Sequence, residues 1–211
     1  MKIDEIRREY QKETLSESSA EKDPLVQFGK WFEYAASTRI QDVNAMTIST
    51  ATPDGIPSAR IVLLKEFDDR GFVFYSSYEG RKSVEIDQNP RAAIVIYWKE
   101  LERQVRIEGT VEKVTSEESD LYFESRPVES KMSAIVSKQS RKIESRKHLE
   151  NLWLEFLKSS FKNDLARPEY WGGFRVIPFA IEFWQGRASR LHDRILYRKK
   201  ENELIIERLQ P

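Results

Sequence analysis

The sequence predicts an α+β chain, mainly antiparallel β, folded as a closed or partly closed barrel with flanking helices. Three observations carry this. Apolar residues recur with period two in runs separated by short turns, so neighbouring strands pair antiparallel. Helical periodicity falls between groups of strands and not after each one. No Gly-x-Gly-x-x-Gly is present, which disfavours a doubly wound nucleotide-binding sheet. Closing the sheet removes the open edges that so many hairpin-linked strands would leave.

Residues 1–23 are charged and serine-bearing, with few apolar positions, and read as a partly flexible N-terminal arm, ordered only against a partner surface. Residues 24–211 read as a single domain. Asp23-Pro24 is a helix start, a capping side chain followed by proline at the first position. Leu25, Phe28, Phe32, Ala35 and Ala36 share one face of the helix that follows. Residues 45–51 read as a strand, Pro53-Asp54-Gly55 as a turn, and 58–67 as the returning strand with a core apolar run. A turn at 68–71 leads to a strand over 72–76 and a short helix over 81–88 that stops before Pro90. Strands over 92–98 and 104–114 follow. Thr115 and Glu118 have capping-box spacing and open a helix that ends near Pro127. Helices over 129–136 and 148–161 flank a polar, basic stretch, and strands over 172–184, 195–198 and 203–209 close the chain.

Composition removes several function classes. The 211 residues hold 35 Lys+Arg against 35 Asp+Glu, a balance that argues against a general nucleic-acid binder. Hydrophobic residues at 39% and aromatics at 11% supply the apolar area for a large core. With no cysteine, disulfides, zinc fingers and thiol catalysis are excluded. Two histidines, His148 and His192, cannot build a His-rich metal site. No apolar run is long enough to span a bilayer and the first residues lack an apolar signal core, so no membrane partner and a cytoplasmic location are expected.

Four segments suit anion chemistry, each with a plainer alternative. In an extended chain Arg190, His192 and Arg194 project to one side, where an anion or electron-rich ring would relieve their repulsion; the alternative is an exposed charged edge. Around Tyr75 and Ser76, hydroxyls, Gly80, Arg81 and Lys82 stand where a strand enters a helix, a setting that favours phosphate. Arg60 and Lys65 bracket Ile61, Val62, Leu63 and Leu64 and face opposite sides, giving two anionic sites or one buried pair plus a solvent-facing lysine. Tyr122 and Arg126 share a helical face with Ser130 just beyond, as phosphate donors or as a surface pair. Gln104, Gln139 and Ser140 can hydrogen-bond a heterocycle, Trp171 and Trp184 can flank a ring, and Arg7-Arg8-Glu9-Tyr10 mixes cations with an aromatic in the arm.

Together these segments resemble the pyridoxamine (pyridoxine) 5′-phosphate oxidase family. The most specific block runs from Arg167-Pro168-Glu169-Tyr170-Trp171-Gly172-Gly173-Phe174-Arg175-Val176 through Trp184-Gln185-Gly186-Arg187 to Arg190-Leu191-His192-Asp193-Arg194. The resemblance spans nearly the whole chain, departing at Ser76-Ser77 and in the acidic, serine-rich linker after Tyr10. It implies an FMN-binding split β-barrel acting as a homodimer with shared active sites. It implies an oxidase that turns pyridoxamine or pyridoxine 5′-phosphate into pyridoxal 5′-phosphate while oxygen becomes hydrogen peroxide. By the resemblance, Arg60, Arg81 and Lys82 hold the flavin phosphate, and residues 60–65, Tyr75, Ser76, Gln104, Gln139, Ser140, Trp184 and Arg194 complete the FMN site. Lys65, Tyr122, Arg126 and Ser130 bind the substrate phosphate. Arg190, Leu191 and His192 cover the substrate ring, with Arg190 and His192 as the catalytic pair. His192 is then either a base or a hydrogen-bonding guide. Arg7, Arg8, Glu9 and Tyr10 belong to an arm that closes over the substrate.

Overall fold

A computed structural model of the chain describes residues 9–160, 165–201 and 203–211. Its centre is a nine-stranded antiparallel sheet in the order β2-β1-β5-β6-β7-β4-β3, with β8 on β7 and β9 on β8. The strands are β1 (Ala45–Ala51), β2 (Pro57–Leu63), β3 (Glu66–Asp68), β4 (Gly71–Ser77), β5 (Arg91–Trp98), β6 (Arg103–Lys113), β7 (Trp171–Gln185), β8 (Asp193–Lys200) and β9 (Glu203–Arg208). The helices are α1 (Pro24–Ser37), α2 (Arg81–Gln88), α3 (Ser116–Ser125), α4 (Val128–Val136) and α5 (Arg146–Ser160). The end of the helix expected over 148–161 falls at Phe161, outside the described residues.

Both edges of the main path belong to one continuous stretch of chain. The Leu64 N–H bonds Asn44 O on the β1 side at 2.8 Å, and the next N–H, of Lys65, bonds Val73 O on the β4 side at 2.9 Å. The sheet therefore curls until its edges nearly meet. The single strand expected over 58–67 is broken there into β2 and β3, because the chain changes partner strand at Leu64 and Lys65. The apolar run of β2 is not core either: Ile61 is 65% exposed and Leu63 41%, whereas Leu64 is buried.

β7 is the hub. Residues 171–176 pair with β4, residues 180–185 pair with β8, and β6 runs along the opposite edge. Pro178, which has no N–H to donate, stands between the two segments, at the register shift opposite Gly109. The buried residue Arg175 of β7 reaches Asp68 at 2.5 Å and Glu118 at 3.1 Å. Glu118 also closes the capping box with Thr115 at the start of α3, so this one ion cluster pins α3 to the sheet.

α1 closes the open side of the curl. Its cap is Asp23, whose side chain accepts the Leu25 N–H at 2.7 Å. Phe28 is fully buried edge-to-face against Phe67 and Phe72, both with centroids at 4.9 Å. The arm is docked from residue 9 onward, contrary to its polar composition. Glu102 accepts the N–H groups of Gln11 and Lys12, Asp193 accepts that of Leu15, and the Leu15 side chain is buried in the core. Among the described residues no helix is long and apolar enough to cross a membrane.

Truncating Phe28 removes the ring that locks α1 to the curled sheet. We expect Phe28→Ala to lower the unfolding free energy by about 3–5 kcal/mol in urea titration.

Candidate active site

One cavity of about 810 Å³ opens between β2, the end of β4, the start of α2 and the α3–α4 junction. Its lining includes the cations Arg60, Lys65, Arg81, Lys82 and Arg126 and, among the described residues, no carboxylate. Ile61, Val62, Leu63, Tyr75, Ser76, Tyr122, Ser130, Gln139 and Ser140 also line it. Leu64 does not; its side chain is turned into the core.

The cavity is built from short-range constraints. Gly80 precedes α2, and a Cβ there would collide with the Gln139 side chain, so the glycine lets the 137–141 loop lie against the helix start. The Ser140 Oγ accepts the Arg81 N–H at 3.2 Å. Lys82 is buried, and its Nζ donates to Ser76 Oγ at 2.7 Å and Gln139 Oε1 at 2.6 Å, both neutral. Burial first, and Arg60 second, push its pKa down to about 8. Arg60 donates to Thr50 Oγ1 at 2.6 Å and Ser58 Oγ at 2.5 Å, and lies 3.5 Å from the Glu85 carboxylate.

At the other end, Tyr75 and Tyr122 stack with centroids 3.8 Å apart, and Trp171 continues the stack. Arg126 ends α3 as its cap residue and lays its guanidinium 4.5 Å over Trp171. Its Nη1 is buried with no hydrogen-bond partner. A buried guanidinium N–H left unpaired is costly unless a ligand oxygen meets it. Five cations and an orphaned donor, with no carboxylate among the cavity's lining residues, fit two phosphate groups.

A second group of expected site residues lies on other elements, and none of them lines this cavity. Gln104, Trp184 and Arg194 stand side by side across β6, β7 and β8. Arg194 is held by Glu182 at 2.8 and 3.1 Å. The extended geometry expected for Arg190, His192 and Arg194 does not hold. Residues 188–190 form a 3-10 turn in which Ser189 and Arg190 take φ of 55° and 61°, and β8 begins only at Asp193. Leu191 is 70% exposed.

His192 packs its ring against Trp184 at 4.6 Å and Tyr10 at 5.7 Å. Its Nδ1 accepts the Arg187 N–H at 3.1 Å, which leaves Nε2 as the protonated nitrogen of the neutral ring. Burial, then the nearby Arg190 charge, lower its pKa. Gly186 leaves room for Tyr10, and Glu9 faces the Ser189 N–H at 3.5 Å. Arg7 and Arg8 lie outside the described residues. Sequence reasoning missed the carboxylates that pair with site cations, Glu85 with Arg60 and Arg81 and Glu182 with Arg194, and the neighbouring ion pairs of Glu118 with Arg175 and of Asp193 with Arg187 and Arg208. Glu85 carried a signal in its four-residue spacing from Arg81, and Glu118 in its capping-box spacing from Thr115.

A curled antiparallel half-barrel with a cation-lined cavity at its closure defines the split-barrel flavoprotein class of oxidoreductase. The pyridoxamine 5′-phosphate oxidase model matches residues 32–152, and the pyridoxine 5′-phosphate oxidase C-terminal dimerisation region matches residues 171–211. A pyridoxine/pyridoxamine 5′-phosphate oxidase of Gloeothece citriformis is 56% identical, covering 99% of this chain and 98% of its own. Another, from Rubrobacter xylanophilus, is 53% identical over 98% of this chain and 95% of its own. Among solved structures, PhzG of Burkholderia lata, in complex with tetrahydrophenazine-1-carboxylic acid, superposes with a TM-score of 0.89 at 28% identity, covering 95% of this chain and all of its own. A pyridoxamine 5′-phosphate oxidase-related protein of Nostoc punctiforme shares the fold, with a TM-score of 0.74 at 14% identity over 90% of this chain and all of its own. The chain belongs to the pyridoxine/pyridoxamine 5′-phosphate oxidase family, and is an enzyme whose cofactor is FMN.

A phosphate bound against Lys82 would make its own binding depend on pH. A phosphate oxygen favours the charged ammonium, so binding raises a pKa that lies near 8 in the free protein. With the phosphate as the dianion, FMN affinity should be flat from about pH 7 to that pH and fall by up to about tenfold per unit above it. Lys82→Met should bind more weakly and lose this dependence; flavin fluorescence titrations across pH measure both.

Proposed function

We propose that this chain oxidises pyridoxamine 5′-phosphate or pyridoxine 5′-phosphate to pyridoxal 5′-phosphate, with oxygen reduced to hydrogen peroxide, in a homodimer whose two active sites are each shared. The observation that carries the reading is the pair of cationic ends in one cavity, suited to one phosphate from the cofactor and one from the substrate. Arg60, Arg81 and Lys82 hold the FMN phosphate, with Tyr75, Ser76, Gln139 and Ser140 around it. Lys65, Tyr122, Arg126 and Ser130 hold the substrate phosphate, where the unpartnered Arg126 Nη1 gains an acceptor. Fixing that phosphate far from the reacting carbon orients the carbon for reaction.

The separate placement of Gln104, Trp184, Arg190, His192 and Arg194 supports a site completed by a second subunit. Exposed Ile61, Leu63 and Tyr97 give the sheet an apolar outer face for that contact. FMN, when bound, supplies the hydride acceptor and the reaction with oxygen. Arg190 lays a planar cation over the substrate ring and favours loss of the substrate proton. His192, neutral and protonated at Nε2, donates a hydrogen bond that orients the substrate and does not act as the base.

Anaerobic mixing of the FMN-loaded protein with pyridoxine 5′-phosphate should bleach the flavin absorbance, and air should restore it with release of peroxide. Persistent colour with FMN bound would contradict the proposal, and bleaching by unphosphorylated pyridoxine alone would contradict the phosphate assignment. Arg190→Lys should lower kcat by about tenfold or more while KM changes little, because the planar stack is lost and the phosphate grip is kept.

Sharing has a separate consequence. Mixing inactive Arg126→Ala and Arg190→Ala subunits creates heterodimers with one intact site. Random reassortment should restore about a quarter of wild-type activity. No recovery, with exchange verified by mass, would place both residues in one subunit's site.

A further inference from the structure

Glu85 of α2 does not line the cavity, yet it is the most heavily bonded carboxylate near it. It is buried to 3% exposure, and its Oε2 accepts hydroxyl bonds of 2.5 Å from Thr50 of β1 and from Ser58 of β2. Its Oε1 accepts the Arg81 Nε–H at 2.8 Å. The same two hydroxyls accept N–H groups of Arg60. Thr50 and Ser58 thus bridge guanidinium to carboxylate, each accepting from Arg60 and donating to Glu85. Arg60 and Arg81, on different elements, are tied to one anion.

We infer that Glu85 is a positioning residue, the strut that aims Arg60 and Arg81 at a single phosphate monoester. This rests on reading the cavity as the FMN phosphate site. Unpaired, Arg60, Arg81 and Lys82 would repel one another, and the Arg81 side chain, already 60% exposed, would swing to solvent. One carboxylate against three cations leaves two positive charges, the complement of a phosphate monoester dianion. The carboxylate also repels the phosphate; holding two forks in place outweighs this because Glu85 stays behind the arginines, outside the cavity lining.

The test compares FMN with riboflavin, which lacks the phosphate, by flavin fluorescence titration of the apoprotein. Wild type should bind FMN at least about a hundredfold more tightly than riboflavin. Glu85→Gln should weaken FMN roughly tenfold and leave riboflavin unchanged. Glu85→Asp, which keeps the charge, should recover part of the loss. Should Glu85→Gln fail to fold, Ser58→Ala and Thr50→Val, which each remove one bridge, should shift the FMN-to-riboflavin ratio in the same direction. Equal weakening of both ligands would make Glu85 merely structural and overturn the inference. Unchanged or tighter FMN binding would overturn it as well. A wild type that does not prefer FMN to riboflavin would overturn the phosphate reading itself, and the strut with it.

Discussion

Five cations crowded into one cavity without a carboxylate among its lining residues are the constraint around which the rest of the molecule is arranged. Like charges at such spacing destabilise a fold unless they are paired from behind or met by a ligand. The first is seen for two of the arginines. Arg60 and Arg81 are paired through Glu85, which is held so firmly by hydroxyls and Arg81 that its pKa is lowered to about 2. Lys82 is buried among neutral acceptors, and Arg126 keeps an unpaired buried donor. In the proposed function, the cost of those two groups in the free protein would be recovered on binding phosphate.

Sheet topology puts the cations together. Arg60 and Lys65 come from the stretch where the chain passes from one sheet edge to the other, Tyr75 and Ser76 from the end of β4, and Arg81 and Lys82 from the helix that follows. β7 anchors the opposite strand ends: residues 171–176 back the cavity through β4, while residues 184 and 185 support the Trp184 and Arg194 group through β8. The two groups of site residues are therefore fixed to one rigid strand, yet none of the second group reaches the cavity of its own subunit.

Much of this was legible in the sequence where one local rule governed. The α2 bounds, the strand over 45–51 and the Thr115–Glu118 capping box appear as read, because turn residues, period and caps agreed. The readings that failed depend on tertiary context. Strand alternation could not show that Ser189 and Arg190 adopt positive φ, since neither is glycine and the turn is stabilised from outside. Ile61 and Leu63 read as core because they are apolar, but β2 is an edge strand and turns them outward. Leu15 looked like part of a polar arm, and the groups that hold that backbone down, Glu102, Asp193 and Arg208, are distant in sequence. For the same reason the ion pairs of Glu182 with Arg194 and of Glu118 with Arg175 gave no signal: the first joins two strands and the second joins α3 to β7.

The central claim is that one subunit's cationic cavity and another's Trp184 and Arg194 group enclose the same cofactor. A crystal structure of the FMN-loaded protein tests it most directly. The account predicts the phosphate between Arg60, Arg81 and Lys82 of one subunit, and the isoalloxazine ring beside Gln104, Trp184 and Arg194 of the other. A phosphate bound elsewhere, or a ring contacted by one subunit alone, would contradict it.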